Sequence, residues 1–307
     1  MNSPKISVIT PSLNRAKMIS DAIESVLAQN YPNFEHIIID GGSTDGTLDV
    51  LVKYPHLKVI KEPDNGMYDA LNKGLEIANG EIIGFLNTDD LYIHDAFIQA
   101  VNFLAQTQVD AIAGRALFFF EKEDHTIAIF RESVLLSEKS FWREITYGDP
   151  AFNAWFFNRL VFDTIGKFDS SYQIAGDRDF LLRFALSELK HAPLGRVLYR
   201  YRAHNDSLTM TSNLLEFSRV ADENLRLVDH YMNVLPHDAK SNMERVRTRD
   251  TITATSRNLR SRAFKSAYHY AKLGCQKDLF WPIKFFFRIA TGIFRLFGLK
   301  IGIYSEG

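Results

Sequence analysis

Phe34-Glu35-His36-Ile37-Ile38-Ile39-Asp40-Gly41-Gly42-Ser43-Thr44-Asp45-Gly46-Thr47 decides the fold of this chain. An uncharged run from His36 to Ile39 stops at a carboxylate, two glycines and a string of hydroxyls. That order reads as a buried strand, a glycine-rich turn and a helix over 47–54. Apolar residues at consecutive positions mark a strand covered on both faces, as in a parallel sheet. The flanking sequence repeats the pattern. Residues 5–10 form a short β-branched run, and 18–29 have helical periodicity. Downstream, strands are predicted at 57–62, 81–86 and 111–120, with helices at 68–78 and 95–106. Alternation of this kind predicts an α/β protein with a largely parallel sheet and helices on both faces. Ligands on such sheets bind at the carboxyl ends of the strands, where the polar residues of this chain gather.

The pattern is mixed from 134 to 202, with helical character at 160–165 and 180–186 and a closing strand at 195–202. Polar helices follow, at 214–232 and in one long stretch over 243–273. The reading therefore divides the chain into an α/β domain, 1–207, and a helical extension, 208–307. With 307 residues, 46% hydrophobic and 24% charged, the composition excludes a disordered, collagen-like or disulfide-stapled chain. Net charge is −1, but 1–242 carries 23 basic and 33 acidic residues, whereas 243–300 carries 13 and 3. An acidic body and a basic tail point to different partners. Cys275 is the single cysteine, which excludes a disulfide within the chain and a cysteine zinc site; a buried structural thiol is expected. The first residues pass directly into a strand without a signal-like apolar stretch, and no run is apolar enough for an ordinary transmembrane helix. A cytoplasmic body is expected.

Four constellations could carry chemistry. The first joins Pro11-Ser12-Leu13-Asn14-Arg15, after one strand, to the Asp40–Thr47 turn after the next. A carboxylate at a strand end accepts hydrogen bonds from a base or ribose, and Ser43 or Thr44 could cap the following helix; a tight turn is the plainer reading. The second is Glu62-Pro63-Asp64-Asn65-Gly66-Met67-Tyr68-Asp69-Ala70-Leu71-Asn72-Lys73-Gly74. It is ordinary turn chemistry with a local break at Gly74, except that it ends a third parallel strand. The third is Asn87-Thr88-Asp89-Asp90, whose oxygens could hold Mg²⁺ or Mn²⁺ against a diphosphate or simply start a helix. The fourth sets Gly176-Asp177-Arg178-Asp179 before a helix, followed later by Arg202, His204 and 205–207. An aspartate there could be a general base or a helix cap, and a lone histidine is more often structural.

Taken in this order, these strings resemble an inverting family 2 glycosyltransferase with the GT-A fold, of the bacterial polysaccharide-biosynthesis type. The resemblance covers 6–207, and its most specific parts are IIIDGGSTDGT, EPDNGMYDALNKG and GEIIGFLNTDD. It implies a nucleotide-sugar donor, UDP first, and a glycan or polyprenyl-linked acceptor. It implies that Pro11, Ser12, Asn14, Asp40, Gly42, Ser43, Asp64, Asn65 and Asn72 line the nucleotide-sugar pocket, with Asn87, Thr88, Asp90 and Arg202 toward the sugar and diphosphate. Asp89 and His204 are implied as ligands of a divalent metal, Mn²⁺ or Mg²⁺, and Asp177 as catalytic base with Asp179 as the alternative. Three departures stand out: Asn87 replaces the first metal-motif carboxylate, Leu13 an often aromatic position, and 147–153 a segment that commonly carries His-Gln before an apolar run. That last segment is expected to face the acceptor.

The tail over 281–300 is apolar with spaced cations. At about 100° per residue, Lys284, Arg288 and Arg295 fall within roughly 40° of one another, while Phe285, Phe286, Ile289, Ile293, Phe294 and Phe297 occupy other faces. Such a helix suits a membrane interface, or a seam with the body or a second copy. The arginines at 245, 247, 249, 257, 260 and 262 raise a binding protein for RNA or nucleotides on the same scaffold. Few aromatics lie between them and no nucleic-acid motif is visible, so nucleic acid is not expected as a partner.

Overall fold

The computed structural model describes residues 3–122, 126–204 and 214–296. The chain divides into two compact units, Met1–Met210 and Thr211–Gly307. In the first, β1 (Ile6–Ser12), α1 (Ile19–Leu27), β2 (Phe34–Asp40), α2 (Thr47–Leu51), β3 (Leu57–Lys61), α3 (Met67–Ile77) and β4 (Ile82–Phe85) alternate. The four strands are parallel neighbours in the order β3-β2-β1-β4. Their middles are fully buried at Val8, Ile9, Ile37, Ile38, Ile39 and Ile83, as their unbroken apolar character requires. Ile19, Ala22, Ile23 and Val26 bury one face of α1 at helical spacing. Register places Ser12 beside Asp40, Asp40 beside Lys61 and Ile9 beside Phe85. The loops after β1 to β4 therefore leave one edge of the sheet together.

The second half adds β5 (Leu91–Tyr92), α4 (Ala96–Thr107), β6 (Ala111–Glu121), β7 (Ile127–Glu132), α5 (Phe141–Thr146), β8 (Trp155–Asn158), α6 (Leu160–Ile165), α7 (Gly176–Leu186) and β9 (His191–Arg202). The sheet runs β3-β2-β1-β4-β8-β6-β9-β5, with β7 on β6. Its central strands remain parallel on the β1–β4 side and again for β6 and β9, while β8 runs antiparallel between β4 and β6. An aromatic core of Phe85, Phe152, Phe157, Phe162, Phe168 and Phe180 packs where α6 and α7 meet β4 and β8. Gly74 lies buried inside α3 instead of breaking it, and α7 starts four residues before the predicted 180.

The second unit is helical: α8 (Leu214–Tyr231), α9 (His237–Arg260), α10 (Phe264–Lys277) and α11 (Trp281–Leu296). The single stretch read over 243–273 is two helices. Arg262 takes φ 60° after α9, and Ala263 N–H returns to Asn258 O at 2.8 Å, closing the helix end as a left-handed residue does. Cys275 is exposed on α10, which corrects the buried thiol expected from sequence. Of the arginines weighed as a nucleic-acid surface, Arg247 is buried between Asp229 and Glu244, and Arg249 is paired with Asp250. Those two cations are spent inside the unit. The 205–207 string, the boundary set at 207 and the tail positions 297–300 lie outside the described residues.

Candidate active site

Five loops build the site, four at the ends of β1 to β4 and one before α7. After β2, Asp40 is fully buried. Its Oδ1 accepts the Gly42 and Ser43 amides at 3.0 and 2.8 Å, and its Oδ2 accepts Ser43 Oγ at 2.6 Å. Ser43 does not cap α2. Its hydroxyl also accepts the Asn14 amide at 2.8 Å, and Asn14 Oδ1 accepts Thr44 N–H at 2.9 Å. Asn14 adopts φ 55° to do so, a conformation asparagine tolerates better than most residues. The β1 and β2 loops are thus locked into one wall by Asp40, Ser43 and Asn14. Ser12 Oγ is buried there without a hydrogen-bond partner, beside exposed Leu13. Pro11, next to last in β1, lies opposite Ile39.

Asp64, after β3, closes its own turn by accepting Gly66 N–H at 2.9 Å. Its carboxylate lies against Gly41, where any Cβ would collide with it; this close approach is what the glycine provides. Asn65 is exposed, its amide N–H donating to Asp69. Asn72 faces elsewhere: Nδ2 donates to Phe168 O and Oδ1 accepts Phe168 N–H, at 2.9 and 3.0 Å. With both ends of its amide engaged, Asn72 clamps the segment before α7.

After β4, Asp90 is enclosed rather than open to a sugar. Its Oδ1 accepts Arg202 N–H at 2.8 Å, and its Oδ2 accepts Asn87 Nδ2 at 2.9 Å and Tyr199 O–H at 3.0 Å. Burial, then the neighbouring Asp89 charge, pushes the Asp90 carboxyl well up from the usual carboxylate range. Thr88 is buried beside it. Arg202 donates from Nε to Asp89 O and pairs with Asp21 and Glu121, so it holds the loop by its rim. Asp89 itself stays partly accessible, with Oδ2 2.7 Å from His204 Nε2.

The last loop precedes α7. Asp177 Oδ1 accepts Arg178 N–H at 2.7 Å and Tyr68 O–H at 3.3 Å. Burial raises the Asp177 pKa, the Arg178 charge and amide pull it back, and Asp149 adds to the rise. A half-buried carboxylate with a raised pKa is the profile of a general base. Asp179 differs: it is buried and bound to Arg183 at 2.9 Å, whose guanidinium also holds Ile165 O and Lys167 O. Asp179 is therefore occupied in packing. Arg178 donates to the carbonyls of Ile145, Thr146 and Gly148 at 3.1, 2.5 and 2.9 Å, fixing the 145–148 segment beside Asp177. Asp149 pairs with Arg131 at 2.6 Å, and Asn153 N–H donates to Tyr201 O–H at 3.1 Å.

Tyr201 joins the two halves of the site. Burial raises its hydroxyl pKa far beyond the ordinary value, and the charges of Asp149, Asp90 and Asp177 all add to the rise. Hydrogen bonds make the connection: Tyr199 O–H donates to Asp90, its oxygen accepts Asn153 Nδ2 at 3.2 Å, and the half-buried Tyr201 takes the amide of the same asparagine. Sequence reading missed Tyr68, Arg178, Tyr199 and Tyr201 as site residues. Tyr68 and Arg178 lie inside quoted motifs, but nothing local distinguishes the two β9 tyrosines from any alternating strand face. Tyr68→Phe should move the acid limb of the kcat profile to higher pH. Loss of a hydrogen bond to the charged form raises the Asp177 pKa further, and a base accepts a proton only when ionised. An unmoved limb in a pH–rate series would confine the Tyr68 hydroxyl to its 2.7 Å bond with Ile174 O.

Among the described residues, no group of three His, Cys, Asp or Glu side chains could hold an ion alone. Asp89 and His204 supply one carboxylate oxygen and one imidazole nitrogen side by side. This pair fits a Mg²⁺ or Mn²⁺ ion that takes its remaining ligands from phosphate and water, the common arrangement for such ions. Asn87 turns its amide onto Asp90 and away from that role.

The mostly parallel central sheet with its acidic loops gathered at one edge is the GT-A class of fold. Two solved structures share it: S. aureus TarS residues 1–349 in complex with UDP-GlcNAc (TM-score 0.56, 16% identity, 87% of this chain and 89% of that one), and the mannosyltransferase PcManGT from Pyrobaculum calidifontis with GDP-Man and Mn²⁺ (0.57, 19%, 95% and 80%). The family model for glycosyl transferase family 2 matches residues 7–166, and the chain belongs to that family. A PGL/p-HBAD biosynthesis glycosyltransferase of Mycobacterium tuberculosis is 30% identical over 196 residues, 60% of this chain and 70% of that protein. The putative teichuronic acid biosynthesis glycosyltransferase TuaG of Bacillus subtilis is 40% identical over 108 residues, 34% and 43% of the two chains.

Proposed function

We propose that this chain is an inverting glycosyltransferase of surface polysaccharide biosynthesis. It takes a hexosyl or N-acetylhexosaminyl group from a nucleotide sugar, UDP-linked first, and gives it to a hydroxyl of a glycan or polyprenyl-linked glycan. The observation that carries the reading is a chain of hydrogen bonds between the β4 loop and the segment beside Asp177: Tyr199 O–H donates to Asp90, Asn153 donates to the Tyr199 and Tyr201 oxygens, and Arg178, whose amide donates to Asp177, holds the 145–148 carbonyls. In this reading the proton acceptor and the diphosphate-binding edge stand at the two ends of that network. The wall of Ser12, Asn14, Asp40 and Ser43, with Asp64 behind it, is the place for the nucleoside. The relatives named for glycolipid and teichuronic acid biosynthesis, and the UDP-GlcNAc complex of TarS, support the substrate classes.

Asp177 accepts the proton of the acceptor hydroxyl while that oxygen bonds to the anomeric carbon. The bond from this carbon to the diphosphate oxygen breaks, and its electron pair leaves with the nucleoside diphosphate. One displacement inverts the anomeric centre and needs no enzyme nucleophile. Asp89 and His204 would hold the divalent cation, which when bound offsets the charge of the leaving diphosphate. Arg178 fixes the 145–148 carbonyls, so the acceptor-facing segment and the base move as one.

The test is a panel of UDP-, GDP- and dTDP-sugars with Mn²⁺ or Mg²⁺, read as nucleoside diphosphate release. One donor should be turned over and should lose turnover on chelation. Binding of a donor without release, even with membrane lipid extract supplying acceptors, would favour a binding protein. Failure of every donor to bind would overturn the nucleotide pocket itself.

A further inference from the structure

Among the described side chains, those on one face of the last described helix anchor it. Trp281 and Phe285 stack with ring centroids 5.0 Å apart and are buried with Ile252, while Ala271 and Ile289 pack against them. Trp281 Nε1 donates to Thr251 Oγ1 at 2.7 Å. Its indole occupies the notch at Gly274, where any Cβ would collide with it. The rotation of α11 about its axis is thus fixed within its own unit. The opposite face carries Leu279, Phe280, Ile283, Phe286 and Phe287, exposed by 90, 67, 67, 68 and 58%. At about 100° per residue these five, with the residues just before the helix counted on the same wheel, span an arc of about 120°. Trp281, Phe285 and Ile289 occupy about 80° on the other side. Lys284 and Arg288 lie between the two arcs, about 40° apart.

Single exposed apolar residues need no explanation, but five large ones in one arc mark a binding surface. Charge selects the occupant. Positions 243–300 hold 13 basic and 3 acidic residues, and Lys284, ion-paired with Asp278 at 2.6 Å, and Arg288 lie along one side of the apolar arc. A second copy docked through this face would bring like charges together, whereas anionic lipid headgroups match them. An apolar arc with cations along its rim is the pattern of a helix lying in the interface plane. Among the described residues no helix is long and apolar enough to cross a membrane.

We propose that α11 docks the protein peripherally on an anionic bilayer. Leu279, Phe280, Ile283, Phe286 and Phe287 enter the acyl boundary, and Lys284 and Arg288 stay at headgroup level. This goes beyond the glycosyl-transfer reading and does not depend on it, although a lipid-borne acceptor would be met there. The test is co-sedimentation of the full chain with vesicles of phosphatidylglycerol and phosphatidylcholine, or of phosphatidylcholine alone. Wild type should pellet with the anionic vesicles, less so as salt rises. Ile283→Glu/Phe286→Glu/Phe287→Glu should bind at least about tenfold more weakly, since burying even one such side chain is worth that factor. All three side chains are exposed, so helix content and melting temperature should hold, and donor turnover in the same samples reports on the catalytic unit separately. Lys284→Gln/Arg288→Gln should lose the preference for anionic vesicles while keeping residual binding. Equal pelleting of wild type and the triple variant would overturn the proposal, as would no pelleting at all. So would a lipid-free dimer that the triple variant converts to monomer, because a second copy would then cover the face.

Discussion

Asp177→Asn is expected to lower turnover by about 10³-fold, within the range for loss of a positioned general base. Donor affinity should stay within a few-fold of wild type. Asparagine keeps an acceptor oxygen for the Arg178 amide and the Tyr68 hydroxyl, so the start of α7 should hold its shape. What is lost is the ability to take a proton. Asp179→Ala provides the contrast. It removes one partner of a half-buried pair whose arginine also holds two carbonyls. A loss of about 2 kcal/mol in stability is therefore expected, the scale of a hydrogen bond to a charged group, with much less change in rate for the protein that remains folded. Steady-state kinetics, donor thermal shift and melting of the two variants separate the roles. Loss of donor binding in Asp177→Asn would move Asp177 into the nucleotide pocket. A large rate loss in stable Asp179→Ala would exchange the two assignments.

The parallel half of the sheet was legible because each strand centres on aliphatic or β-branched residues and ends in turn residues. β2 was read to the residue, Phe34–Asp40, since Ile37, Ile38 and Ile39 have no polar alternative face. The antiparallel strands left no such mark. β5 has two residues, β8 four, and β7 is mostly exposed, so neither period nor length distinguishes them from loop. The helix break after α9 was invisible because Arg262 takes the left-handed position where glycine would have announced it. At the site, the strand-end carboxylates could be read from sequence, but their condition could not. Whether Asp90 is open or enclosed depends on Tyr199 and Arg202, which arrive from β9, 109 and 112 positions away. The bond from Tyr68 to Asp177 spans 109 positions, and the contact of Gly41 with Asp64 needs two adjacent strands in register. Motif spacing records which residues meet at an edge. It does not record which of them will be consumed in holding that edge together.

That distinction bears directly on Asp89. Among the four residues from Asn87 to Asp90, Asn87 and Asp90 bond to each other, Thr88 is buried, and Asp89 alone turns an accessible carboxylate toward His204. Asp89→Ala should therefore remove charge without loosening the loop, because Arg202 Nε binds the Asp89 carbonyl and Asp90 keeps its three donors. Turnover should fall by about 10²–10³-fold, the scale for losing electrostatic help to a leaving group. His204→Ala should cost less at saturating Mn²⁺ and instead raise the Mn²⁺ concentration for half-maximal activity by about tenfold, as loss of one of several ligands does. A readout independent of turnover is Mn²⁺ binding in the presence of nucleoside diphosphate, followed by calorimetry or by the Mn²⁺ electron paramagnetic resonance signal. Wild type should bind cation and diphosphate cooperatively, since the diphosphate supplies oxygen ligands to the cation and the cation offsets the diphosphate charge. Asp89→Ala should lose that coupling while retaining metal-free nucleotide binding on the Asp40–Ser43 wall. Retained coupling in Asp89→Ala would place the cation on other residues and leave Asp89 and His204 as a structural pair. Loss of metal-free nucleotide binding in the same variant would show instead that the β4 loop shapes the nucleoside wall.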